Sequence, residues 1–288
     1  VAASATQLLN RHVAIKRRIV VPMYRQAARA IRFYPPPRVC AISLPKSGTH
    51  LLTSLLGHLP KMMFSGLHID LGAYVAPGAL ASTVVDVRAL RRNLASVRDG
   101  QFMTGHLPAI PEVTDALREF DFATLLIIRD PRDVMVSLAH YLASDPSHHF
   151  HRRLAPVPFP DRLSALITGF PADASSPGLP SIGDRLTLYQ PWLANPGVCV
   201  VRFEDLVGPD GEGSRADQIA ITRRVADWVR RPLTDEQARR IADRIWSPRS
   251  STFRDGRSGG WRDVFTDDHR RTFDHQAGAV MEAFGYAQ

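Results

Sequence analysis

Val39-Cys40-Ala41-Ile42-Ser43-Leu44-Pro45-Lys46-Ser47-Gly48-Thr49-His50 holds the first decision about architecture. The run Val39 to Leu44 is short and apolar and lies between prolines, which predicts a buried strand. Pro35-Pro36-Pro37 just before it is a stiff break, because each ring fixes φ and removes a donor. Ser47 to His58 reads as a helix. A strand, a short loop and a helix in that order aim backbone N–H groups and a helix N-terminus at a bound anion. Lys46 adds a mobile cation, and Ser47 and Thr49 add hydroxyl donors. The loop is not the triphosphatase pattern GxxxxGK[ST], since its Lys precedes the Gly and the first Gly is absent.

Further buried strands are expected at Thr124 to Ile128 and Gly197 to Phe203, and a short one at Gln101 to Thr104. Helices are expected at Val84 to Val97, at Asp130 to Ser144 with Pro131 in its first turn, and at Asp184 to Asn195. Three more are expected near 216–230, near 234–245 and after Thr266, a fitting N-cap. Residues 60–83 and Ser247 to Gly260 read as loops, and 145–183 as a long surface segment with one helix near 161–169. Strands alternating with helices predict an α/β fold with a parallel sheet.

The chain has 288 residues, 44% hydrophobic and 22% charged, which excludes wholesale disorder and suffices for a sizeable core. The net charge is +8, and residues 1–69 contain ten cations and no Asp or Glu. The excess basicity therefore lies at the N-terminal end and favours an anionic partner. Residues 1–37 are expected to form a basic, helical N-terminal segment. It reads as a docked helix, a membrane-surface helix or a processed leader. No apolar run reaches the roughly 20 residues that span a bilayer. Cys40 and Cys199 each sit in an apolar run and read as buried free thiols, which excludes a disulfide framework. There is no N-x-[ST] sequon, so a cytoplasmic location is expected. No signature of a nucleic-acid module is present, and no nucleic-acid partner is expected.

Three further segments carry chemistry. Arg129 ends a strand in Ile128-Arg129-Asp130-Pro131-Arg132-Asp133, and Ser137 lies two turns into the next helix, so the two can converge on one anion. The planar Arg fork suits phosphate, although a strand-end Arg paired with Asp130 or Asp133 fits the same residues. Phe253-Arg254-Asp255-Gly256-Arg257-Ser258-Gly259-Gly260-Trp261-Arg262 reads as a flexible cationic clamp or an exposed basic turn. His106, in Thr104-Gly105-His106-Leu107-Pro108, is a candidate general base at the same sheet edge. His148, His149 and His151 fit no ordinary metal spacing, and no metal is expected. Met62, Met63 and Phe64 suit an acceptor pocket or the core equally well.

PKSGT after a strand, the THLP-like element around His106, RDPRDVxxS and the late RxGxxGxWR segment occur in one order. Together they resemble the donor-binding elements of cytosolic-type sulfotransferases over roughly residues 38–285. The resemblance implies a single P-loop-like domain over 38–288, with a central parallel sheet flanked by helices. It implies an O-sulfotransferase that uses 3′-phosphoadenosine-5′-phosphosulfate (PAPS) and leaves adenosine 3′,5′-bisphosphate (PAP). Lys46, Ser47, Gly48 and Thr49, with His50, match the loop on the 5′-phosphosulfate. Arg129 and Ser137 match the pair on the 3′-phosphate, and Arg254 and Gly256 the late loop's grip on it. His106 matches the base, and Lys46 would stabilise the leaving phosphate. The acceptor would be a hydroxyl of a small molecule, a glycan or a glycolipid.

The match has departures. Leu51 stands where a Trp commonly stacks on adenine, leaving that role to Phe253. Asp255 stands where a Lys is usual, with Arg257 nearby as a compensating cation. The Tyr usual on the helix before Phe203 falls near Arg185. The family's C-terminal dimer motif keeps Thr266 but has Asp267 and Arg271 for its usual Val and Glu, so no oligomeric state is assigned. Three other readings remain, a P-loop-like kinase, a non-catalytic nucleotide-binding module and a basic membrane-surface or nucleic-acid binder. The kinase is disfavoured by the loop's lack of a Lys after Gly.

Overall fold

The computed structural model describes residues 34–70, 86–173, 178–246 and 257–286. The basic N-terminal segment expected over 1–37 therefore lies outside the described residues up to 33, as do Phe253, Arg254, Asp255 and Gly256.

The first half of the chain alternates strand and helix: β1 (Arg38–Ser43), α1 (Thr49–His58), β2 (Met63–Asp70), α2 (Val87–Ala95), β3 (Gln101–His106), α3 (Pro111–Glu119), β4 (Phe122–Ile128) and α4 (Pro131–Ser144). The short helices α5 (His151–Leu154), α6 (Phe159–Thr168), α7 (Ile182–Thr187) and α8 (Gln190–Leu193) lead to β5 (Val198–Arg202). Then come α9 (Phe203–Val207), α10 (Arg215–Trp228), α11 (Asp235–Ile245) and α12 (Asp267–Met281).

The five strands form one sheet in the order β2-β3-β1-β4-β5, and every pairing is parallel. β1 sits at its centre, with Ile42 opposite Gly105 on one side and Leu126 on the other. A parallel sheet is covered on both faces, so its strands read as nearly continuous apolar runs. Val39 and Ala41 point into one core with Leu52, Leu55 and Leu56 of α1 and Val225 of α10. Cys40 and Ile42 point into the other with Leu94, Val113, Leu138 and Phe273. Both cysteines are free and buried, and burial pushes the Cys40 thiol well above its ordinary range. Each fully buried Leu or Ile in these layers contributes about 1.5–3 kcal/mol.

Two expectations need correction. Residues 60–83 are not all loop, because Met63–Asp70 is the edge strand β2. Its signal is broken at Gly66 (φ 77), where the register with β3 shifts between Phe64 and His68. Phe64 packs on Phe102 and Met62 is buried, so both serve the core. The segment 145–183 is not a surface excursion either. Phe150, Leu154, Leu163, Leu166, Ile167 and Ile182 are buried in the main core. Its prolines shorten helices that still carry apolar faces. The helix expected at Asp184 to Asn195 is likewise split into α7 and α8, with Pro191 in the first turn of the second. Arg185 is buried there and donates to the Leu166 carbonyl and the Met135 sulfur.

Candidate active site

Parallel topology brings the chemistry to one edge. The chain steps from β1 out to β2 and back to β3, then crosses to β4, so the strand order switches beside β1. Ligands of open α/β sheets sit at the C-terminal strand ends at such a switch. There β1 delivers Lys46 to His50, β3 delivers His106, and β4 delivers Arg129.

The loop after β1 turns tightly. Ser47 N–H donates to the Leu44 carbonyl (3.2 Å), and Lys46 is left-handed at φ 72. A non-glycine residue in that region is strained, and such strain gathers at functional turns. Gly48 follows at φ 108 as the N-cap of α1. No side chain caps α1, and no acidic residue stands in its first turn. Among the described residues, every other helix of eight or more residues has one or the other: α2, α4, α10, α11 and α12 are capped by their own Asp, Ser or Thr, and α3 and α6, uncapped as well, carry Glu112 and Asp161 in the first turn. An uncapped helix start with Ser47 and Thr49 beside it suits an anion. Ser47 is buried, Thr49 is half-buried and His50 is exposed.

Lys46 Nζ lies 4.2 Å from the centroid of the Tyr141 ring on α4. The Tyr141 hydroxyl donates to Asp145 (2.6 Å). Ser137 is half-buried one turn before Tyr141, and residues four apart share a helix face. Lys46 and Ser137 are thus brought to one side of α4. Sequence reading missed Tyr141, although its i+4 spacing from Ser137 was visible.

Arg129 stacks on Phe203 with its guanidinium carbon 4.2 Å from the ring centroid, and Nη2 donates to the Arg257 carbonyl (2.9 Å). Its Nε is buried with no hydrogen-bond partner among the described residues. Asp130 and Asp133 are turned to other partners. Asp130 caps α4, pairs with Arg132 (2.8 Å) and accepts from the Trp261 indole (3.1 Å). Asp133 accepts the Gly259 and Trp261 N–H groups (2.7 and 2.9 Å), which ties the late glycine loop to α4. The guanidinium groups of Arg132 and Arg262 both lie over the Trp261 ring. Burial pulls the Arg129 pKa down from its ordinary value, and the nearby charges of Asp133, Glu204 and Asp130 oppose that. Burial raises the Asp133 pKa, while Arg129 and the two N–H donors hold it down. Ser47 and Arg129 also line a common narrow cleft with Leu44, Ile128 and Pro131.

Phe203 joins the two halves. A Cβ built on Gly48 would lie 2.7 Å from Phe203 Cδ2 and 3.0 Å from Ile127 Cδ1. Gly48→Ala is therefore expected to cost about 2–4 kcal/mol, from a left-handed φ and a forced shift of the ring beneath Arg129. Urea unfolding checks this, and an unchanged midpoint would contradict it.

His106 Nδ1 lies 2.8 Å from the Ser43 carbonyl and 3.3 Å from Ser43 Oγ. A carbonyl only accepts, so Nδ1 carries the proton and Nε2 holds the lone pair. Burial lowers the His106 pKa from its ordinary 6.5, opposed by the Ser43 carbonyl, so the ring is neutral at pH 7. His68 of β2 meets it edge-on at 4.9 Å between centroids, with Nδ1 2.9 Å from Thr104 Oγ1. One rim of His68 is exposed, yet enough protein surrounds the ring that desolvation, with the charge of His106 next, pushes its pKa down to about 4. Ser43 and His68 escaped sequence reading because one sits in an apolar strand and the other in a segment read as loop.

His148 and His149 stack at 4.3 Å, and His151 Nδ1 lies 2.8 Å from the Leu142 carbonyl. Among the described residues no three His, Cys, Asp or Glu side chains are placed to hold a metal ion. Among them, too, no helix is long and apolar enough to cross a membrane.

No protein-family model matches the chain, and no curated protein matches it. Solved structures do. Mouse sulfotransferase SULT7A1, complexed with PAP, superposes with a TM-score of 0.59 at 17% identity, over 90% of this chain and 88% of that one. Retinol dehydratase with androsterone and the inactive cofactor PAP gives 0.53 at 18% identity, over 90% and 85%. The same enzyme with retinol and PAP gives 0.54 at 18%, over 92% and 86%. With its all-parallel five-stranded sheet and helices on both faces, this chain has the sulfotransferase fold.

Proposed function

We propose that the chain is an enzyme that moves a sulfuryl group from PAPS to a hydroxyl of a small molecule, glycan or glycolipid. The observation that carries this reading is the meeting of a base of fixed tautomer, His106, with the uncapped phosphate loop at one sheet edge. PAPS supplies the activated sulfuryl group. The residues present fit such a ligand, since α1 has neither a side-chain cap nor an acidic residue in its first turn, and the buried Arg129 Nε has no partner among the described residues.

His106 Nε2 accepts the proton of the acceptor hydroxyl as it attacks. Lys46 stabilises negative charge growing on the phosphate oxygen that leaves. The N–H groups and hydroxyls of Ser47, Gly48 and Thr49, with His50 beside them, hold the 5′-phosphate end. Arg129 and Ser137 take the 3′-phosphate, where the Arg fork gives two parallel bonds. Phe253, Arg254, Asp255 and Gly256 belong to the same reading as the adenine-side and 3′-phosphate loop. Asp133 supports it by pinning Gly259 and Trp261 just beyond. Holding both partners in line supplies much of the remaining acceleration. No residue in this scheme needs a metal.

A small-molecule acceptor is supported by retinol dehydratase, seen with androsterone and with retinol. Incubation with radiolabelled PAPS and a panel of phenols, sterols, sugars and glycolipids tests the proposal. Label transferred to an acceptor hydroxyl is the expected result. Label transfer from ATP with Mg²⁺, and none from PAPS, would replace this reading with a kinase.

A further inference from the structure

Ser43 is fully buried at the end of β1, between the loop and the base. Its hydroxyl lies 3.3 Å from His106 Nδ1 and 2.6 Å from Thr49 Oγ1. The direction of these bonds can be worked out. Nδ1 carries its proton, because the Ser43 carbonyl at 2.8 Å can only accept. Ser43 Oγ therefore accepts from Nδ1, and because the hydroxyl is fully buried its own hydrogen needs an acceptor, for which Thr49 Oγ1 at 2.6 Å is in reach. Thr49 Oγ1, having accepted, keeps its hydrogen for an acceptor in the phosphate loop. The run is N–H to O–H to O–H, all pointing from the base toward the anion.

We infer that Ser43 is a positioning residue that couples occupancy of the phosphate loop to the basicity of His106 through Thr49. This rests on reading the loop as the site of the 5′-phosphate. An anion accepting from Thr49 polarises each bond behind it, since hydrogen bonds in a chain strengthen one another by perhaps 10–30% each. The last bond affected is Nδ1–H, and drawing its proton outward puts electron density on Nε2. No proton changes owner along the chain. The device answers a difficulty of the site, because burial alone makes His106 a weak base. Among the described residues, His68 of β2 meets the ring edge-on and Asp70 at the end of β2 is paired in register with His106.

The test is an NMR pH titration of the His106 ring in the full chain, assigned by comparison with His106→Gln, with and without PAP. PAP tightens proton binding at His106 through charge alone in any variant. In wild type the tightening is expected to be at least about threefold greater than in Ser43→Ala, the scale of one modest hydrogen bond. Ser43→Thr, which restores the hydroxyl, recovers the difference. Thr49→Val breaks the same chain at its other end and gives the same loss with Ser43 intact, which covers a Ser43 variant that fails to fold. By linkage, PAP affinity in wild type declines as pH rises through the His106 transition, and declines less in Ser43→Ala. Equal tightening in wild type, Ser43→Ala and Thr49→Val, with PAP bound to each, overturns the coupling and leaves the donor site standing. Failure of PAP to bind wild type overturns the reading of the loop and the coupling with it.

Discussion

His106→Gln is expected to lower kcat by about 10²–10⁴-fold, the usual worth of a positioned general base. Affinity for PAP at neutral pH should change little, because the neutral His106 ring is linked to the phosphate loop through the Ser43 hydroxyl. Gln keeps a polar group at the site and removes the proton acceptor. In the free wild-type protein the imidazole titrates below its ordinary 6.5, since burial outweighs the Ser43 carbonyl. The sign follows directly. The active, neutral form persists through neutral pH and is lost only as pH falls below the ordinary imidazole range. Steady-state rates against pH check both points. A His106→Gln enzyme with wild-type kcat would remove the base from this site.

Arg129→Ala should weaken PAP binding by about a hundredfold, within the 1.5–3 kcal/mol span of a charged hydrogen bond at its upper end. ADP binding should hardly change, because ADP has no 3′-phosphate for Arg129 to hold. Arg129→Lys keeps the charge and loses the fork, and should fall between the two. The substitution also acts on the protein. Arg129 is the counter-charge that holds the Asp133 carboxyl down against burial. Without it the Asp133 pKa rises further, and its grip on Gly259 and Trp261 weakens as pH falls. Calorimetry with PAP and ADP, beside thermal melts at two pH values, separates the ligand effect from the structural one. An Arg129→Ala protein whose preference for PAP over ADP is undiminished would place the 3′-phosphate elsewhere.

Much of this arrangement was legible from local pattern. The strands β1, β4 and β5 are buried on both faces, so they read as apolar runs, and Thr266 announces α12 by its capping side chain. The motifs Lys46 to His50, His106 and Arg129 were each placed at a strand end, and parallel pairing brings those ends together. β2 was not legible, because a bulge at Gly66 shifts its register and edge position leaves its alternation weak. The helices between 145 and 183 were hidden by prolines that look like loop residues. At their starts these prolines are compatible with a helix, as in α6. Within the site, Ser43, His68 and Tyr141 were missed for one shared reason. Each matters through a contact made by the sheet or by packing across it, and no single-segment pattern encodes that.

Calorimetric titration of the purified chain with PAP, with ADP as the control, tests the central claim most directly. The account predicts micromolar binding of PAP and much weaker binding of ADP, with the difference sharply reduced in Arg129→Ala. Equal binding of the two, or binding of ADP only with Mg²⁺, would contradict it.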